Sequence, residues 1–112
     1  MYCGRDWSPL GEDSTRVIGL DFVNDMNVGE TLTTATWTIR VSDGVDLDPG
    51  DHLWGPPLVT IPIGSTEKTM TIQRVGGLLA NVTYTLQAIG VTSLGNVLDL
   101  WSHIRGVSPE LP

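Results

Sequence analysis

Two histidines are the first candidates for chemistry, because imidazole is the side chain that most often transfers protons near neutral pH. His52 follows an acidic stretch, and His103 lies on the outward phase of VLDLWSHIR. The sequence has no Gly-rich phosphate loop, no nucleophile elbow and no His-x-x-x-His pair. We therefore interpret both histidines as surface residues, predict no catalytic residue, and expect that the protein is not an enzyme.

Carboxylates are the second candidates, because Ca²⁺ takes several oxygen ligands from such groups. Asp43, Asp46, Asp48 and Asp51 crowd the loop SDGVDLDPGD. Their order does not match an EF-hand loop, and no glutamate closes the segment. We predict solvated turn residues, no metal site and no cofactor. The sequon NVT at Asn81 is interpreted as part of a turn.

Length and charge restrict the class of protein. A chain of 112 residues forms one domain. The net charge of -7, with only 6 Lys and Arg residues, argues against nucleic acid as a partner. Cys3 is the single cysteine, so no internal disulfide is expected. The sequence contains no run of about 18 apolar residues, the length that a membrane span needs. The start MYCGRDWSPLGED lacks the apolar run of a signal peptide, so we expect synthesis in the cytoplasm.

Alternating apolar and polar residues predict strands along most of the chain. In TLTTATWTIRV, Trp37 shares a face with Ala35, Ile39 and Val41, and we predict that it anchors the core. The prolines in HLWGPPLVTIPI restrict that segment to a loop with a short edge strand at about 58–63. The other predicted strands are RVIGLDF, EKTMTIQRV, NVTYTLQAIGVT and VLDLWSHIR.

The same alternation predicts which side chains face the core. In EKTMTIQRV we expect Met70 and Ile72 inward and the intervening Thr69, Thr71 and Gln73 outward. The last two strands form a hairpin around Ser93–Asn96. Their inward residues are predicted to be Val82, Tyr84, Leu86, Ala88, Leu98, Leu100 and Ile104.

These elements predict an all-β fold, an immunoglobulin-like antiparallel β-sandwich of about seven strands with an extended N-terminal arm. Tyr84, a few residues after Leu79, resembles the tyrosine corner of such domains. We divide the chain into an arm at 1–16, a sandwich at 17–107 and a C-terminal tail at 108–112. The core is expected to begin at about Arg16.

Aromatic residues outside the predicted core are the candidates for protein contacts. They are Tyr2, Trp7, Trp54 and Trp101. We expect an arm that orders against a neighbouring subunit, because Tyr2 and Trp7 lie in a segment without periodicity. Trp7 has an alternative, which is to fold back over its own sandwich.

Three patches resemble a family of small bacteriophage tail proteins known as fibre-tail adaptors. They are GETLTTATWTI, VGGLLANVTYTL and TSLGNVLDLW, or 29–39, 75–86 and 92–101. The insert at about 43–57, with Trp54, and the arm before Arg16 are longer than the family pattern.

The resemblance implies a structural virion protein that links the tail to its receptor-binding fibre. Its partners would be other tail proteins, namely the tail tube, a nozzle or connector, and the fibre. Several copies would surround a symmetric tail, without nucleic acid or membrane contact. The alternatives are a capsid decoration protein, a carbohydrate-binding immunoglobulin-like module and, third, an enzyme accessory domain. An exposed aromatic platform would favour sugar binding.

Overall fold

The computed structural model describes residues 1–108, so the predicted tail lies outside the described residues apart from Ser108. Within this range the chain is all-β, with seven strands and two short 3-10 helices. The helices are Val23–Asp25 and Pro49–His52. The strands are β1 Leu10–Gly11, β2 Thr15–Asp21, β3 Leu32–Asp43, β4 Leu58–Thr60, β5 Met70–Gly76, β6 Thr83–Thr92 and β7 Val97–Val107.

The strands form two sheets that pack as a sandwich. One sheet has four strands in the order β1-β7-β6-β3, and the other has three in the order β2-β5-β4. Neighbouring strands are antiparallel except β1, which runs parallel to β7. The orders β2-β5-β4 and β3-β6-β7 correspond to strands B-E-D and C-F-G of immunoglobulin domains. The predicted sandwich is confirmed, and the edge strand near residue 58 is β4.

Trp37 lies in the core between the two sheets, as predicted. It is 7% exposed, and its indole Nε1 donates a hydrogen bond to Thr71 Oγ1 of β5 at 3.0 Å. Ala35, Ile39 and Val41 pack against the same core. The inward residues predicted for β6 and β7 also point into this core, with Leu98 half-buried. Regular alternation therefore predicted the faces of β3, β6 and β7 correctly.

The predicted phase of β5 is wrong. Thr71 and Gln73 are buried at 0% and 2% exposed, whereas Met70 and Ile72 lie on the outer face and are half-buried. Thr71 Oγ1 accepts from Trp37 Nε1 and donates to Leu58 O at 2.9 Å. Gln73 Nε2 donates to the carbonyl oxygens of Gly55 and Arg74, each at 3.0 Å. These hydrogen bonds offset the cost of burying polar side chains, so the polar face can point inward.

The tyrosine corner forms as the sequence suggested. Tyr84 is fully buried, and its hydroxyl accepts a hydrogen bond from Leu79 N at 3.1 Å. The loop before β6 turns at Asn81, which has a φ of 65°. Asparagine tolerates this left-handed conformation better than most residues do, which fits the interpretation of NVT as a turn.

The N-terminal arm packs along its own sandwich. Leu10 in β1 pairs with Gly106 and is 3% exposed, so the core begins before Arg16, contrary to expectation. Trp7 packs against the core with its ring centroid 6.1 Å from that of Trp37, and its indole Nε1 donates to Gly19 O at 3.4 Å. Of the two alternatives for Trp7, the structure has the one in which it folds back on its own domain.

Candidate functional site

The four aromatic candidates lie in three different places. Trp7 is half-buried and packs against the core. Tyr2 and Trp101 lie together on the outer face of the four-stranded sheet. Trp54 lies on the outer side of the three-stranded sheet. The fold therefore divides Tyr2, Trp101 and Trp54 between the outer faces of the two sheets.

Pairing of the arm with β7 brings Tyr2 onto Trp101. Cys3 N donates to Trp101 O at 2.9 Å, and the ring centroids of Tyr2 and Trp101 are 4.9 Å apart. His103 lies next to them, with its ring 5.4 Å from that of Trp101. The three rings form a continuous aromatic cluster. The Tyr2 hydroxyl donates to Asp6 Oδ1 at 2.7 Å, and this hydrogen bond is the main reason that the pKa of Tyr2 is raised to about 12.

A groove lies beside this cluster on the same sheet face. Its volume is about 270 Å³, and its floor spans β3, β6 and β7. His103 follows the predicted outward phase, but it is half-buried. Its Nδ1 is 2.9 Å from Thr85 Oγ1. The lining residues are Thr38, Ile39, Arg40, Thr85, Gln87 and Trp101.

The outer face of the three-stranded sheet is apolar. Val17, Trp54 and Leu58 are 44%, 45% and 60% exposed, and Ile72 lies between them on β5. The Trp54 ring packs over Gly76, and its Nε1 donates to Asp51 O at 3.1 Å. A single charged side chain, Arg74, lines the shallow hollow of about 170 Å³ at this face. We call this surface the Trp54 face.

His52 is buried, which corrects its interpretation as a surface residue. Its side chain is 11% exposed, and Nε2 lies 2.6 Å from Asp46 Oδ2. Its Nδ1 lies 3.2 Å from Gly76 O. Both neighbours are oxygen atoms that can accept a hydrogen bond, so each ring nitrogen of His52 faces an acceptor. Tyr84 completes the cluster by donating to Asp46 Oδ2 at 2.6 Å.

This cluster attaches the acidic loop to the tyrosine corner. Burial raises the pKa of Tyr84 to about 12, and the hydrogen bond to Asp46 adds to the effect. Burial also acts to raise the pKa of Asp46, but hydrogen bonds from Tyr84, the Asp48 backbone and His52 outweigh it, and the net shift is downward. Asp46 is thus a structural carboxylate, contrary to the expectation of a solvated turn residue. No group of three or more His, Cys, Asp or Glu side chains in residues 1–108 is arranged to hold a metal ion.

Glu30 has a structural role that the sequence did not suggest. It is 3% exposed, and its carboxylate accepts hydrogen bonds from the Thr92 hydroxyl, Asn96 Nδ2 and Asn27 N. The hydrogen bond from Thr92 is the main cause of the lowered pKa of Glu30. Glu30 therefore attaches the β2–β3 connection to the β6–β7 hairpin. Two of the patches that resemble tail adaptors, GETLTTATWTI and TSLGNVLDLW, meet through this side chain.

The contacts of Tyr2 with Trp101 and of His52 with Asp46 and Tyr84 were missed by sequence reasoning. Tyr2 is far from Trp101 in sequence, and nothing in the arm indicates parallel pairing with β7. The signal available for His52 was its position among turn residues, which indicated exposure.

In residues 1–108 no helix is both long and apolar enough to span a bilayer. Comparison of the chain with protein-family models, curated proteins and solved structures found no match.

Proposed function

We propose that the protein is a non-catalytic binding module, a bacteriophage tail adaptor that links the tail to its receptor-binding fibre. The observation that carries the proposal is the Trp54 face. It is an exposed apolar surface on the outer side of the three-stranded sheet, and it includes the aromatic ring of Trp54. Aromatic and apolar side chains at the centre of a surface are typical of protein contacts. The viral role itself depends on the resemblance of the three sequence patches to tail adaptors.

The partner at the Trp54 face is proposed to be a different tail protein and not a second copy. Two copies with a net charge of -7 repel each other, while the face carries only Arg74 as a lining charge. A less acidic subunit of the tail tube, connector or fibre avoids this repulsion. In the virion, contacts with these other tail subunits would then arrange several copies of the adaptor around a symmetric tail. Nucleic acid and membrane are not proposed as partners.

A role without catalysis is supported by the cluster around His52. Both imidazole nitrogens already face acceptors, and the Asp46 carboxylate receives hydrogen bonds from Tyr84 and the Asp48 backbone. No serine, threonine or cysteine side chain among the described residues forms a hydrogen bond with His52. The cluster lacks the nucleophile and the free base that acyl or phosphoryl transfer requires.

Carbohydrate binding is the second candidate function, and the Tyr2–Trp101–His103 cluster favours it. Tyr2 is 38% exposed, and the half-buried rings of Trp101 and His103 lie beside it on the outer face of the sheet, next to a polar groove. A capsid decoration role would use the same Trp54 face on another partner.

A binding experiment tests the adaptor proposal. The purified protein is expected to be monomeric in size-exclusion chromatography with light scattering. When it is co-expressed with the tail-tube, connector and fibre subunits of the same virus, a stoichiometric complex with at least one is expected. Leu58→Asp should abolish this complex, because it places a charge in the Trp54 face.

Val97→Asp is the matched control. Val97 is 66% exposed, close to the 60% of Leu58, but it lies on the four-stranded sheet. This variant should bind like the parent protein. The adaptor proposal fails if no tail subunit binds the folded parent protein, or if the two variants weaken binding equally. Self-association through Leu58 would identify a second copy as the occupant.

A further inference from the structure

The groove on the four-stranded sheet has a regular floor. Strand pairing aligns Thr38, Gln87 and Trp101 in one row across β3, β6 and β7. The adjacent row on the same face begins with Arg40 and Thr85. Side chains two residues apart on a strand are about 7 Å apart, so the two rows form a small platform about the size of one sugar ring.

Several groups in the groove are hydrogen-bond donors without an acceptor. The indole nitrogens of Trp7, Trp37 and Trp54 each donate within the protein, whereas that of Trp101 makes no hydrogen bond in residues 1–108. In the same range the Arg40 guanidinium has no ion pair or hydrogen-bond acceptor, and the Thr38 hydroxyl is also unpaired. The groove therefore offers donors to a ligand that is rich in acceptors.

The Trp101 ring is held in place from two sides. Tyr2 packs on it at 4.9 Å between centroids, and His103 meets it edge-on at 5.4 Å. A rigid aromatic ring loses little entropy when a ligand packs against it. Sugar rings carry apolar C–H faces that pack on aromatic rings, and their edges carry hydroxyl groups that can bond to Thr38 and Gln87.

Arg40 is the charged side chain that lines the groove. Like the other arginine and lysine side chains in residues 1–108, it forms no ion pair with a carboxylate of its own chain. A guanidinium binds a carboxylate through two parallel hydrogen bonds, which a neutral sugar cannot accept in that form. A ligand that brings its own carboxylate would complete the site.

We propose that the groove binds a sugar residue that carries a carboxylate, such as a uronic acid within an acidic glycan. The sugar ring packs on Trp101, and its carboxylate pairs with Arg40. The hydroxyl groups of the sugar bond to Thr38 and to the side-chain amide of Gln87. This site does not depend on the adaptor proposal, because it lies on the opposite outer face from Trp54.

The test is an NMR titration of the isotopically labelled protein with sodium glucuronate, glucose and acetate. Glucuronate should shift the Trp101 indole N–H signal with a dissociation constant in the millimolar range, which is usual for a ligand of one ring. Glucose and acetate, which each lack one part of the ligand, should bind at least about tenfold more weakly, as expected when one charge-assisted hydrogen bond or one stacking contact is lost.

Two variants complete the experiment. Arg40→Gln should weaken glucuronate binding by about tenfold or more while the spectrum keeps the dispersion of a folded protein. Arg74→Gln makes the same charge change on the Trp54 face and should bind glucuronate like the parent protein. The proposal is overturned if glucuronate shifts no signal from β3, β6 or β7, or if Arg74→Gln weakens binding as much as Arg40→Gln. It is also overturned if acetate, or a peptide with a free C-terminal carboxylate, binds as tightly as glucuronate.

Discussion

The two sheets both bury apolar residues, among them Ile18 and Leu20 of β2, but they differ in their outer faces and in the polar side chains that β5 buries. In the four-stranded sheet, Tyr84 and Leu86 point into the core, and Gln87 and Thr38 point to solvent. In the three-stranded sheet, Thr71 and Gln73 point into the core, while the apolar side chains of Ile72, Val17 and Leu58 lie outside. The smaller sheet thus presents apolar side chains on the face where the larger sheet presents polar ones.

The inward polar side chains of β5 are explained by the segment that packs against the three-stranded sheet. The segment between β3 and β4 is irregular, so its backbone groups need partners outside a strand ladder. Gln73 supplies one by its hydrogen bond to Gly55 O, and Thr71 bonds to Leu58 O where that segment enters β4. Because these polar side chains face inward, alternation places Ile72 outward, where the Trp54 face forms. An apolar outer face is a consequence of the polar groups that stabilise the loop beneath it.

The largest expected effect comes from removing the side chain that joins the sheets. Trp37→Ala should lower the free energy of unfolding by about 3 to 5 kcal/mol, as for other buried aromatic residues. This is a large share of the stability of a domain of this size. Denaturant unfolding followed by circular dichroism measures it. A loss below about 1 kcal/mol would show that the two sheets do not depend on Trp37 for their packing.

A smaller effect tests the inverted phase of β5. Thr71→Val keeps the shape of the side chain but leaves Trp37 Nε1 and Leu58 O without this partner, so we expect a loss of about 1 to 3 kcal/mol. Ile72→Thr is the matched change on the outer face, and it should cost less than about 1 kcal/mol, because Ile72 is half-exposed and threonine suits a strand. Thermal and denaturant unfolding of both variants give the order. If Ile72→Thr lowered the stability more than Thr71→Val, then Ile72 and not Thr71 would be the inward residue, as the alternation alone predicts.

The buried face of a strand could be predicted from the sequence only where the residues on its two faces differ clearly in size and polarity. In β3 and β6 the large residues Trp37, Tyr84 and Leu86 alternate with threonines, so one face alone could be buried. In TMTIQ either face could be buried, because a threonine that finds a partner is tolerated in a core. The partner is Trp37 Nε1, which lies far away in sequence. Pairing across the fold, and not local pattern, also places His52 beside Asp46 and Tyr2 on Trp101.

Acid should act on the four-stranded sheet through the carboxylates at its two ends. Glu30 contacts the β6–β7 hairpin at Thr92, and Asp46 contacts the start of β6 at Tyr84. The pKa of each carboxyl is lowered in the folded protein. A lowered pKa means that the unfolded chain takes up protons first, so stability is present above the ordinary pKa of about 4 and is lost as pH falls through the folded pKa.

Asp46→Asn isolates one of these carboxylates, and it is expected to have the smallest effect of the three changes. The amide cannot pair with His52 as a carboxylate does, so the melting temperature should be lower than that of the parent protein at pH 7. The gap should narrow as pH falls below about 4, because the unfolded parent chain takes up a proton at Asp46 before the folded protein does, and the advantage of the carboxylate is lost as pH falls through its lowered folded pKa. Asp51→Asn changes a carboxylate in the same loop whose side chain is exposed and makes no hydrogen bond in residues 1–108, so it should follow the parent protein at every pH. A gap between Asp46→Asn and the parent protein that stays constant from pH 7 to pH 3 would mean that the charge of Asp46 contributes nothing, and that the carboxylate acts through its shape alone.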